Sequence, residues 1–182
     1  MTSIDVLRAV HHPTRRRIID VLYLGGPCQV GTLARELGEQ VGSVSHHLRM
    51  LERAGVVARA PELASDGRTS WWRLEQTSLS WSVDDFDDAA DRTQAKAAER
   101  LNIDHQLGRL AVWKREAGKA GPAWRRAAFA SDFLATATPE ELGSLQQAIA
   151  SAMHEWRESL PDEPDGERRP VFVFTHGFPT RP

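Results

Sequence analysis

The sequence predicts a mainly α protein with a small β component: a helical N-terminal domain closed by a β-hairpin, then a mostly helical C-terminal domain ending in a strand. Three observations carry this. Apolar residues recur every three or four positions through most of the 182 residues. Two β-prone runs, Val56 to Ala60 and Thr69 to Leu74, flank an Asp66-Gly67 pair with the positive-φ chemistry of a hairpin turn. Near the end, Val171 to Thr175 (VFVFT) reads as a buried strand, with 79–83 as its candidate partner. The expected boundaries are 1–76 and 77–182.

Taken in order, Ile4, Leu7 and Val10 form one apolar stripe before His12-Pro13 breaks and restarts the chain. Arg15 to Leu24 form a second helix with Ile18, Ile19, Leu22 and Tyr23 inward, ended by Gly25-Gly26-Pro27. Thr32 to Leu37 make a short third helix with Leu33, Ala34 and Leu37 inward and Gly38 as its C-cap. The fourth helix runs from Val41 to Ala54. Val44, Leu48 and Leu51 give it a core face, and Ser43, His46, Arg49 and Arg53 fall on the other side. Gln40 is a poor N-cap and Gly42 is flexible, so the first turn of this helix is expected to be its least ordered part. Two short helices joined by a tight turn make a helix-turn-helix, and a hairpin directly after it makes a winged helix.

Beyond the linking run 77–83, Asp84 to Lys119 is expected to be helical, with four aspartates in its first turns and a cost of about 1 kcal/mol each for Gly108 and Gly118. Gly121-Pro122 starts a helix carrying Trp124, Phe129, Phe133 and Leu134. Thr138-Pro139 starts a last one, with Leu142, Leu145, Ile149, Met153 and Trp156 at helical spacing. Trp113, Trp124, Trp156, Phe129 and Phe133 are expected to fill a helical core. Lining a pocket for a small organic effector is their alternative use.

Composition narrows the function. At 41% hydrophobic and 26% charged the chain can bury a core. It has no run of about eighteen apolar residues, and its start lacks the layout of a signal peptide, so no membrane partner is expected. A lone cysteine, Cys28, rules out an intramolecular disulfide and fits a reducing cytoplasm. The net charge of −2 hides an asymmetry, +2 over residues 1–76 and −4 over 77–182.

The run from Leu7 to Leu74 resembles the ArsR-type winged-helix family. The resemblance rests on His12-Pro13-Thr14-Arg15, on Val44-Ser45-His46-His47-Leu48 with Leu51 and Ala54-Gly55-Val56-Val57, and on Asp66-Gly67-Arg68 with Trp71-Trp72-Arg73-Leu74. It implies a cytoplasmic, dimeric transcriptional repressor that binds double-stranded DNA. Gln40, Ser43, Ser45, His46 and Arg49 would face the major groove, with Arg59 and Arg68 on phosphate or the minor groove. Serine can bond a base edge or a phosphate, arginine can fork onto guanine, and neutral histidine offers one donor and one acceptor. His47 is read as a packing residue, and Arg15 to Arg17 as surface residues, with phosphate contact by one of them as the alternative. The rival reading is a protein-interaction module that kept the fold and lost DNA.

Many relatives of this type sense metals, but the third helix has no cysteine pair and Asp104-His105 lacks a second histidine at i+3 or i+4. No metal or other cofactor is expected. The run Val171 to Pro179 resembles an oxyanion-hole strand of α/β-hydrolases, yet the chain has no Gly-x-Ser-x-Gly elbow and ends three residues later. No catalytic residue is assigned.

Overall fold

Tertiary packing begins with the side chains that lose water completely. Ile18, Leu33, Val44, Leu48, Leu51 and Val57 are buried together with Trp72, and this cluster ties the first four helices to the sheet. The computed structural model describes residues 3–64, 70–75, 81–163 and 165–181. The elements are α1 (Ile4–Val10), α2 (Pro13–Gly25), β1 (Cys28–Gln29), α3 (Val30–Leu37), α4 (Val41–Arg53), β2 (Val57–Arg59), β3 (Trp71–Leu74), α5 (Ala89–Glu116), α6 (Pro122–Ala127) and α7 (Pro139–Glu158). The protein is mostly helical with a small sheet, as expected from the spacing.

Local chemistry sets the helix ends. Ser3 accepts from the Val6 amide at the start of α1. His12 is the N-cap of α2, its Nδ1 accepting from Thr14 N at 3.2 Å, and Pro13 occupies the first helical position, where a missing N–H costs nothing. Arg15 folds back over the end of α1 and donates to the carbonyls of Ala9 and, at 2.8 Å, Arg8, which α1 itself leaves unpaired. Gly38 closes α3 in the left-handed region at φ 67°, and its amide bonds back into the helix. Tyr23, expected inward, is 45% exposed. It follows Leu22 by about 100° around the helix, off the buried face.

Sheet order is β1-β3-β2, all antiparallel. The wing strands pair as Val57↔Leu74, Ala58↔Arg73 and Arg59↔Trp72. β1, two residues just before α3, pairs with β3 as Cys28↔Trp72 and Gln29↔Trp71. It is too short for an alternation pattern, and the sequence offered no sign of it. The Asp66-Gly67 turn lies outside the described residues.

The chain divides into two compact units, Met1–Val112 and Trp113–Pro182. The first runs past the boundary expected at residue 76 because Phe86, Ala95 and Ala98 bury against Leu7, with Trp81 and Val83 beside them. The aspartates expected at the start of α5 fall earlier. Asp84 and Asp85 sit in a 3-10 turn capped by Ser82, and Asp88 caps α5 by accepting from Ala90 N and Asp91 N at 2.8 and 3.1 Å.

Within the second unit three expectations are corrected. α6 ends at Ala127, where Ala128 turns to extended backbone, so Phe129 and Phe133 lie beyond it at 78% and 83% exposure. Trp156 is likewise exposed on α7, and among the described residues of this unit only Ala120 is buried, so the tryptophans fill no core there. Val171 to Thr175 forms no strand. No described strand supplies partners for its backbone groups, and an unpaired edge gains nothing from the extended form. Of its expected partner, 79–83, residues 79 and 80 lie outside the described residues, and 81–83 form no strand. α7 itself starts as expected, Thr138 and Glu141 forming a reciprocal capping box.

Candidate nucleic-acid interface

The second helix of the helix-turn-helix, α4, is anchored by Val44, Leu48 and Leu51, all fully buried. Burial of that face fixes the opposite one in water. His46, Arg49 and Arg53 are exposed there, and Ser43 and Ser45 flank them half-buried. Arg49 and Arg53 make neither ion pair nor hydrogen bond among the described residues. Their guanidiniums are therefore uncommitted. Arg53 belongs with the site by geometry, and its i+4 spacing from Arg49 was the signal in the sequence.

The start of α4 is bare. Gln40 is its N-cap with extended backbone, and its side chain makes no capping bond. Val44 N reaches Gln40 O at 3.1 Å, so the amides of the turn before it have no side-chain acceptor. A turn held by Arg17 places this helix. Its guanidinium donates to Leu37 O at 2.5 Å and pairs with Glu39 at 3.6 Å.

The remaining predicted residues separate. Arg59 on β2 is exposed yet already engaged, its charge 3.4 Å from Glu52 and 5.1 Å from the centre of the Trp72 ring. Arg73 pairs with Glu62 at 2.6 Å and Glu75 at 2.8 Å. Arg68 lies outside the described residues. His47 is half-buried, with Nδ1 enclosed and without a hydrogen-bond partner among the described residues, and its ring stands 4.7 Å from His12 and 5.5 Å from His46. Burial first, then the neighbouring His12 and Arg15, holds its pKa below the usual value. It is a packing residue by position.

A helix-turn-helix with a two-stranded wing defines the class: a winged-helix DNA-binding protein. A family profile described as "helix-turn-helix domain" matches residues 10–60. The chain is 39% identical over 79 residues to the transcriptional repressor SdpR of Bacillus subtilis, a match covering 43% of this chain and 82% of that protein. The chain belongs to the ArsR-type winged-helix family of transcriptional regulators. It is also similar to HlyU from Vibrio cholerae, at 21% identity over 57% of this chain and 88% of that one with a TM-score of 0.36. Lactococcus lactis ZitR, in the apo form of a variant, matches at 14% identity over 80% and 83% with a TM-score of 0.37. No described helix is long and apolar enough to cross a membrane.

Proposed function

We propose that the chain is a sequence-specific repressor that acts as a homodimer, in the cytoplasm and without catalysis. α4 enters the major groove of double-stranded DNA. The observation that carries this is the uncommitted face of α4, two exposed arginines and His46 on a helix whose opposite side is fully anchored. His46, Arg49 and Arg53 address base edges, with Ser43 and Ser45 at the margins. The uncapped turn after Gln40 takes a phosphate, which replaces the missing side-chain acceptor for its amides. Arg59, and with it Arg68, holds the wing against the backbone and fixes register.

Dimerisation is supported by α5, which leaves Leu101, Leu107, Leu110 and Val112 exposed. Two protomers then read half-sites about one helical turn apart. Repression is supported by the kinship to a transcriptional repressor. In this reading residues 1–76 contact DNA and residues 77–182 serve assembly and effector response, with the stretch up to Val112 packed into the first unit. A mobility shift on DNA from the chain's own promoter region, followed by footprinting, tests it. A protected pseudo-palindrome is expected, and binding that is equal on random DNA overturns it. Sedimentation at micromolar concentration showing only monomer overturns the dimer.

A further inference from the structure

The second unit, Trp113–Pro182, has helices but no core to hold them. Among its described residues only Ala120 is buried, while Leu145, Met153 and Trp156 of α7 stand 44%, 39% and 51% exposed. A unit too small to build a core is held by disulfides, by a metal or by a second chain. The sequence has one cysteine, Cys28, which lies in the other unit. The described residues bring together no group of three metal-ligating side chains. That leaves a second chain.

The spacing along α7 says which. Leu142, Leu145, Ile149, Met153 and Trp156 fall on one face at intervals of three, four, four and three residues. The series reads the same from either end, with Ile149 at its centre. Two copies of α7 laid antiparallel about a two-fold axis at Ile149 therefore match: Ile149 meets Ile149, Leu145 meets Met153, and Leu142 meets Trp156. A two-fold contact demands this reciprocity, whereas an unrelated partner helix does not. From Leu142 to Met153 the helix carries no charged residue on any side, as the centre of an interface requires. Antiparallel pairing also sets the two helix dipoles against each other favourably. The exposed apolar side chains of α5 supply roughly half of the about 800 Å² that each partner of a stable dimer buries, and those of α7 supply a similar share.

We propose that α7 pairs with α7 of a second copy of this chain, antiparallel and with Ile149 on the two-fold axis. The inference rests on the homodimer reading and adds to it a second contact of fixed register.

The test uses the full chain, in sedimentation and in cross-linking. Leu145→Asp and Met153→Lys each set a lone charge against an apolar side chain of the second copy, and each should raise the dimer dissociation constant at least about tenfold. Eight residues separate the two positions along α7, too far to meet on one helix, so in the double variant the new charges pair only across the two-fold axis. The double variant should recover at least about fivefold of the loss. In a Cys28→Ser background, Ile149→Cys should form a disulfide-linked dimer on mild oxidation. Helix axes about 8–10 Å apart bring facing Cα atoms within disulfide range. Gln147→Cys, on the opposite face, should not. A wild-type chain that stays monomeric overturns the homodimer and this contact with it. A dimer that persists unchanged in both single variants overturns the α7 contact alone, as does a double variant no tighter than the singles or equal cross-linking at 147 and 149.

Discussion

Replacing Arg49 by alanine isolates what one side chain contributes to reading DNA, because it has nothing else to lose. Arg49 is exposed on α4 and bonds to no described residue, so Arg49→Ala should change folding stability by no more than about 0.5 kcal/mol. Its forked donors suit the two acceptors of guanine, and losing such a pair costs about 1–3 kcal/mol of specific binding, roughly 5- to 150-fold. The contrast is Arg59→Ala. That change breaks the pair with Glu52 and the contact over Trp72, and so lowers stability as well as affinity. Titrations of specific and random duplexes at several salt concentrations distinguish the roles. For Arg49→Ala the specific affinity should fall while random binding holds. If both fall equally and the salt slope drops by about one, Arg49 meets phosphate, and the base-reading argument fails. Unchanged binding to both duplexes would falsify the placement of α4 in the groove.

Three further outcomes follow from the packing. Leu7 is fully buried against Phe86, Ala95 and Ala98, so Leu7→Ala should cost about 2–5 kcal/mol in urea denaturation. A change in the melting of 1–112 with no loss of cooperativity would support one folding unit there. Gly38 holds φ 67° in the turn before α4, and Gly38→Ala should cost about 1–2 kcal/mol by strain alone, since open space surrounds the new methyl. His11 and His105 have folded pKa values of about 4 against 6.5 unfolded. The unfolded chain therefore binds more protons in that window. Stability is full above about pH 6.5 and falls as pH drops towards 4. Denaturation midpoints at pH 7 and pH 5 should differ, and His11→Asn should shrink the difference.

Much of the first unit was legible because its helices are amphipathic and its punctuation is local. Gly38, His12-Pro13 and the Val44-Leu48-Leu51 stripe each act within a turn or two, where periodicity and capping rules apply. The exposed face of α4 followed from the same stripe by elimination. β1 was not legible, since two residues of strand depend on β3 far along the chain. Nor was the reach of the first unit to Val112, which depends on Leu7 finding Phe86, nor the cluster of His11, Arg16 and His105, which joins residues from helices distant in sequence. In the second unit helical spacing predicted α7 correctly. The aromatics there misled, because apolar content specifies burial only when a facing element exists to bury it.

The charge count shows the same limit most clearly. Residues 1–76 carry ten arginines for a net +2, too little to suggest a polyanion partner. The structure sorts those arginines by occupation. Arg15 caps α1, Arg16 joins His11 to Asn102, Arg17 holds the turn before α4, and Arg73 is shared between two glutamates. These side chains fasten elements together, and their donors are engaged inside the fold. Arg49 and Arg53 are exposed on one face of one helix and answered by no described residue. Attraction for phosphate and base edges depends on cations that have no competing internal partner, so two free guanidiniums on α4 count for more than the net charge of the whole domain. The weak basic balance of the sequence is thus compatible with a DNA-reading surface, because most of its arginines were never part of that surface.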